Sequence, residues 1–167
     1  MKTIIITGVA GYIGSQLALY FLKKNYEIIG IDDFSNSNQK DINTLIKFKT
    51  FKFYKKNINY IDKNLIKKKK IDFFIHLAAI SSVDKAKIDK IKTYKTNVLG
   101  LISAVDLANK LKCKTFLFSS SAAVYGNTKK LPIYENHSLK SQSLYGFSKI
   151  EAENQIYKYK KKNKNEF

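Results

Sequence analysis

Two stretches of this 167-residue chain carry side chains whose types and spacing could do proton chemistry. Tyr145 and Lys149 are four positions apart in Tyr145-Gly146-Phe147-Ser148-Lys149, so on a helix they share one face. An ammonium beside a phenol lowers the cost of forming phenolate, and the tyrosine can then act as a general base. The spacing alone suits a surface pair equally well. Ser119, Ser120 and Ser121 follow the apolar run Phe116-Leu117-Phe118. That order puts hydroxyls at the carboxyl end of a strand, where open α/β sheets bind ligands. Ser121 could hold a substrate alcohol, or it could cap the next turn of chain.

A third stretch offers backbone rather than side chains. Thr7-Gly8-Val9-Ala10-Gly11-Tyr12-Ile13-Gly14 sets three glycines between a β-branched run and a helical pattern. Gly8 can make a tight turn, Gly11 can let the backbone approach a phosphate, and Gly14 can let a helix pack closely. The helix amino end then favours an anionic pyrophosphate. Tyr12 and Ile13 are read as packing or shaping this phosphate loop. Asp32 ends the next strand, where a carboxylate accepts hydrogen bonds from an adenosine ribose and repels a 2′-phosphate. NAD is favoured over NADP. Asp33 is the alternative if the strand ends one residue later.

These groups need a scaffold, and the hydrophobic pattern predicts one. Thr3 to Ile6 reads as an interior strand, and Ile13, Leu17 and Phe21, with Ala18 and Leu22, as one helical face. Asn25 suits a left-handed helix end, and Glu27 to Ile31 a second strand. A weak helix over Lys40–Lys47, a third strand at Phe51 to Tyr54 and a helix through Ile58, Asp62, Leu65 and Ile66 follow. Next come a strand from Ile71 to Leu77, a long helix from Ile88 to Asn109 with Val98, Leu101, Ile102, Val105 and Ala108 in its stripe, and a strand from Thr115 to Ser119. Residues 131–143 read as loop, and a last helix runs from Tyr145 to about Tyr159. The alternation predicts α/β architecture, a doubly wound parallel sheet of Rossmann type with flanking helices. It is read as one domain over residues 1–157, followed by a Lys/Asn-rich tail at 158–167.

Composition narrows the partners. The net charge is +18, from 31 Lys plus Arg against 13 Asp plus Glu, which ordinarily suggests a polyanion. Here the lysines are spread along the chain, and the denser runs at Lys67 to Lys70 and beyond Lys158 lack the interleaved aromatics of a stacking platform. No specific nucleic-acid partner is expected. No apolar run reaches the roughly 20 residues of a membrane span. The single cysteine, Cys113, suits a reducing compartment, and the expected location is cytoplasmic.

The stretches ITGVAGYIGS, IDDFSNS, FFIHLAAISSV, the region from Tyr94 to Gly100, FLFSSSAAVYG and YGFSK together resemble the extended short-chain dehydrogenase/reductase family, and within it the nucleotide-sugar epimerases of the UDP-glucose 4-epimerase branch. The resemblance spans nearly the whole chain. It implies that Ser121, Tyr145 and Lys149 form a catalytic triad and that Gly8, Gly11 and Gly14 cradle the pyrophosphate of NAD. It places Asp32 on the adenosine ribose with Asn36 and Ser37 nearby, and Asn57 and Ile58 at the adenine. Ala78 and Ala79 pass beside the middle of the cofactor, Asn97 organises the site, Ser119 lines the nicotinamide pocket and Lys149 also bonds the nicotinamide ribose. The implied substrate is a nucleotide sugar, epimerised at C4 through a 4-keto intermediate.

The chain departs from the family pattern in three ways. Lys56-Asn57 stands where Gly-Asp is usual, so Asn57 reaches adenine without a carboxylate. Lys140 and Leu144 occupy positions where prolines are common. The chain also stops just after the Tyr-Lys helix, before further strands and the domain that binds the nucleotide sugar, so an incomplete sheet with an exposed edge is expected. A homodimer or a complementing carboxyl-terminal half is the implied protein partner. The alternatives are a nucleotide-sugar dehydratase or reductase, and an inactive NAD-binding remnant or partner-binding subunit.

Overall fold

The computed structural model describes residues 1–66, 70–129 and 131–162. Most of the lysine run at 67–70 and the last five residues lie outside the described residues. The chain divides into two compact units, one of residues 1–78 with 103–119, the other of residues 79–102 with those from 120 onward.

The first unit holds a five-stranded parallel sheet of β1 (Thr3–Thr7), β2 (Glu27–Asp32), β3 (Phe51–Lys55), β4 (Phe73–His76) and β5 (Thr115–Phe118), in the order β3-β2-β1-β4-β5. β1 is buried along its whole length, as an interior parallel strand rich in isoleucine should be. Its alternate side chains feed two cores. Ile5 packs with Ile29, Ile31 and Phe74 against Ala104, Leu107 and Ala108 of helix α4 (Gly100–Lys110). Ile4 and Ile6 pack with Ile28 and Ile75 against Ala18 and Leu22 of helix α1 (Tyr12–Lys23). Thr7 pairs in register with Ile31 on one side and His76 on the other, so the chain leaves β1, β2 and β4 along a common edge.

Helix α1 buries Gly14, Ser15, Ala18 and Leu22, while Ile13 is 63% exposed. The expected stripe is thus turned by about one residue, because the helix start lies too close to the turn for anything larger than Gly14 and Ser15. Asn25 ends the helix in the left-handed region, at φ 60, as expected. β4 is shorter at both ends than the expected Ile71 to Leu77 strand, although the Asp72 N–H still donates to the Thr3 carbonyl and the Leu77 N–H to the Thr7 carbonyl.

Two expected α-helices are instead pairs of 3-10 turns. Over Lys40–Lys47 the turns are Gln39–Ile42 and Leu45–Lys47, each burying one apolar anchor, Ile42 and Leu45. Over 58–66 they are Ile58–Tyr60 and Lys63–Leu65. There Asn57 and Asp62 accept the N–H two residues on, from Asn59 and Asn64, and this local capping competes with a continuous helix.

The second unit contains α2 (Val83–Ile88), α3 (Lys90–Tyr94), a π turn at Lys95–Leu99, the first turn of α4, a 3-10 turn at Ala122–Tyr125 and α5 (Leu144–Lys162). The single helix expected from Ile88 is therefore broken. Asp89, at φ −134, leaves helical geometry and caps the Lys92 N–H with its side chain. The apolar stripe survives the break, with Val98, Leu101, Val105 and Ala108 buried and Ile102 half-buried. Helix α5 continues to Lys162, past the expected end and into the segment read as tail, which its run of good helix formers allows. No helix among the described residues is long and apolar enough to cross a membrane.

Candidate functional site

The glycine turn is held by close backbone approach. Gly8 has φ 69, donates its N–H to the Ile31 carbonyl at 2.8 Å, and leaves no room for a Cβ, which would stand 2.8 Å from the Ala78 nitrogen. A Cβ on Gly14 would stand 2.2 Å from the Gly8 carbonyl oxygen. Thr7 locks the exit of β4 against this turn. Its Oγ1 accepts the Leu77 and Ala78 N–H groups, each at 3.2 Å, and lies 2.7 Å from His76 Nδ1.

Gly11 differs from its neighbours. A Cβ there would meet only the Gly8 carbonyl, at 3.2 Å, with open space beyond. Packing alone explains Gly8 and Gly14, whereas at Gly11 the missing side chain chiefly exposes the backbone to whatever approaches from outside. Gly11 caps α1 with no side-chain hydrogen bond, and the first turn carries no acid, so the helix amino end presents its amides and partial positive charge. This is the donor set a pyrophosphate requires. Tyr12 is 86% exposed and Ile13 points outward as well, so neither packs the loop as expected.

Asp32 ends β2, and its carboxylate accepts from the Ala10 N–H at 3.0 Å, the Phe34 N–H at 2.8 Å and the Ser37 hydroxyl at 2.7 Å. A carboxylate has about four acceptor sites, which leaves capacity for a ribose hydroxyl. Asp33 is turned instead toward Asn57, whose Nδ2 donates to it at 2.7 Å, and toward the Ser35 N–H at 2.9 Å. Burial works to raise the Asp33 carboxyl, but the bonds from Ser35 and Asn57 outweigh it and leave the group below its ordinary range. The Asn57 oxygen accepts the Asn59 N–H at 2.9 Å. Ile58 is buried in the core beside β2. Asn36 is exposed, as is Ser119, which donates its N–H to the His76 carbonyl at 3.3 Å. The turn, Asp32 and Ser37 together fit a dinucleotide.

The second unit holds Ser121, Tyr145 and Lys149, together with half-buried Ala79. Ser121 accepts the Ala123 N–H at 3.2 Å and so caps the 3-10 turn, with its own proton left to donate. Tyr145 and Lys149 share one face of α5, with Lys149 Nζ 6.0 Å from the tyrosine ring centre. Lys149 is only 4% exposed, and burial pulls its ammonium down to about 8, against the opposing pull of the Glu153 charge. Asn97, which its residue type alone leaves on a helix surface, is 1% exposed in the π turn. Its oxygen accepts the Ile80 N–H at 2.8 Å, and its nitrogen donates to the Ile80 carbonyl at 3.1 Å and to the Ser148 hydroxyl at 2.9 Å. Ser148 in turn donates to the Tyr145 carbonyl at 2.6 Å.

Three residues here, Gly146, Ser148 and Glu153, were not singled out from the sequence as site residues. Gly146 is the only small enough residue for its place, since a Cβ would stand 2.0 Å from Ser141 Oγ and 2.5 Å from the Ala123 carbonyl. It seats the start of α5 on the turn that Ser121 caps. Its signal was the glycine directly after Tyr145. Ser148 carries the Asn97 link, and Ser120 donates a hydrogen bond to Glu153. Those contacts join distant positions and left no local pattern.

A family model described as GDP-mannose 4,6 dehydratase matches residues 5–166. The chain belongs to the extended short-chain dehydrogenase/reductase family of NAD-dependent epimerases and dehydratases. Within that family it is 31% identical to UDP-glucose 4-epimerase uge1 of Schizosaccharomyces pombe, over 97% of this chain and 48% of that protein. It is 39% identical to a dTDP-D-glucose 4,6-dehydratase of Dictyostelium discoideum, over 76% of this chain and 30% of that one. The solved UDP-Glc/GlcNAc 4-epimerase of Campylobacter jejuni superposes with a TM-score of 0.90 at 28% identity, covering 99% of this chain and 51% of that one. The UDP-glucose 4-epimerase of Bifidobacterium longum, solved with NAD+ and UDP, gives 0.85 at 28% identity, covering 97% and 50%. The chain thus spans about half the length of these epimerases. The parallel sheet with flanking helices is the fold shared with these enzymes, and several of the solved relatives, the Bifidobacterium longum enzyme among them, hold NAD.

Proposed function

We propose that this chain carries the NAD-binding and proton-transfer residues of a nucleotide-sugar 4-epimerase acting on UDP-hexoses. The observation that carries the reading is the Tyr145 and Lys149 face of α5, seated by Gly146 against a serine-capped turn that holds no acid. A dehydratase must eliminate water, which calls for a further acid and base; the corresponding stretch here is Ser121-Ala122-Ala123, and alanine supplies neither. The match to a dehydratase family model and to the Dictyostelium enzyme favours a dehydratase as the second reading.

NAD, when bound, would supply a reversible hydride acceptor for C4 of the sugar, open to either sugar face and so able to support inversion there. The backbone amides at the start of α1 hold the pyrophosphate, and Asp32, with Ser37, holds the adenosine ribose. Lys149, as ammonium, favours the phenolate of Tyr145. Tyr145 then removes the proton from the C4 hydroxyl and later returns one to the same oxygen. Ser121 steadies that oxygen by donating its hydroxyl proton, an effect of positioning.

The test is product analysis by NMR after incubating the protein with NAD and UDP-glucose. UDP-galactose, lost in Tyr145→Phe, is the expected product. A 4-keto-6-deoxy sugar would replace this reading with the dehydratase. Saturable NAD binding with no product would leave an NAD-binding subunit without turnover.

A further inference from the structure

Three residues of α5 fall at four-residue intervals: Tyr145, Lys149 and Glu153. They form one stripe along the helix, and only the first two belong to the mechanism above. An ammonium as buried as Lys149 is costly to keep charged without an anion near it. The charged groups on the other elements packed against α5 are Asp84, Lys85, Lys87, Lys90, Lys92 and Lys95, all of them exposed. Burial pulls the Lys149 ammonium down, and the charge of Glu153 pulls it back up. Glu153 is itself half-buried, and one of its carboxylate oxygens accepts a hydrogen bond from the Ser120 hydroxyl. Ser120 directly precedes Ser121, the residue that caps the 122–125 turn.

We propose that Glu153, held in place by Ser120, is a positioning residue that sustains the ammonium of Lys149 on the Tyr145 face of α5. This rests on the reading of Lys149 as the partner of Tyr145. Glu153 touches no reacting atom in this account and acts only through the lysine. Ser120 acts one step further back, by fixing where the carboxylate lies. A purely structural clip between Ser120 and Glu153 would contribute to stability and leave the lysine unchanged, and the two cases are separable.

The experiment follows the Lys149 side-chain carbon resonance against pH in the protein labelled with 13C-lysine, the signal being assigned by its loss in Lys149→Met. In Glu153→Gln, which keeps an oxygen for Ser120, the Lys149 midpoint falls by about one pH unit. Ser120→Ala lowers it by less and serves in its own right if the glutamine variant does not fold. An unchanged midpoint in either folded variant overturns the proposal. The readout needs no sugar turnover, so a protein without epimerase activity would sink the proposed function and leave this coupling standing.

Discussion

The glycine turn of the first unit and the start of α5 in the second both depend on a missing side chain, yet they are stabilised in opposite ways. At the turn, Gly8 and Gly14 let backbone approach backbone, and the polar groups involved are satisfied by Ile31, Thr7 and Asp32. At α5, Gly146 brings the helix onto the 122–125 turn, but Lys149, the proposed partner of Tyr145, is an ammonium almost without solvent. The first region would receive its proposed ligand at little cost in stability. The second holds its proposed reactive group at the expense of stability, as sites that need a perturbed group commonly do.

The largest effect is expected where backbone meets backbone. Gly14→Val drives a side chain into the Gly8 carbonyl, and with no flexible group to yield it should destabilise the protein by about 4 kcal/mol or prevent folding, as urea denaturation would report. Lys149→Met tests the other side of the contrast. Lys149 holds its proton less tightly folded, at about 8, than at its ordinary 10.5, so the cost of its charge is fully present below pH 8 and fades as pH rises toward 10.5. Removing the charge should therefore stabilise the protein by about 1–3 kcal/mol at pH 7, with the gain vanishing by roughly pH 10.5 and turnover abolished. Denaturation curves at the two pH values check it, and equal gains at both would break the comparison.

Gly11→Ala separates ligand from scaffold. Stability should move by less than about 1 kcal/mol, while calorimetric affinity for NAD should fall about tenfold or more. The smallest change is expected from Asn57→Asp, which removes the donor at 2.7 Å from Asp33 and sets a second carboxylate against it. Asp33 gives up its proton below its ordinary value, so its contribution is present above pH 3.8 and lost as pH falls through the folded value. In the variant the Asp33 midpoint should rise, as carboxyl carbon NMR would show.

The same contrast explains what could be read from the amino acids alone. The turn was legible because its demands are local: three glycines, a strand before, a helix after and an acid at the next strand end lie within one stretch from Thr3 to Asp32. Tyr145 and Lys149 were legible through helical spacing. Ile13 was misplaced because periodicity finds an apolar stripe but not its rotation, which the close seat of Gly14 determines. The helices expected over Lys40–Lys47 and 58–66 failed where short polar caps, such as Asn57 and Asp62, outcompeted a weak apolar pattern. Asp89 broke a long helix in the same way. The pairing of Ser120 with Glu153 spans 33 positions, and Asn97 is held by three hydrogen bonds to two residues, Ile80 and Ser148, from separate segments. Neither is visible without the folded chain.

Thr7 carries one more consequence. Its oxygen receives amide protons from Leu77 and Ala78 and lies 2.7 Å from Nδ1 of His76. One hydroxyl thus ties three successive residues at the end of β4 to the last residue of β1, a seam that valine, of the same shape but without the oxygen, could not close.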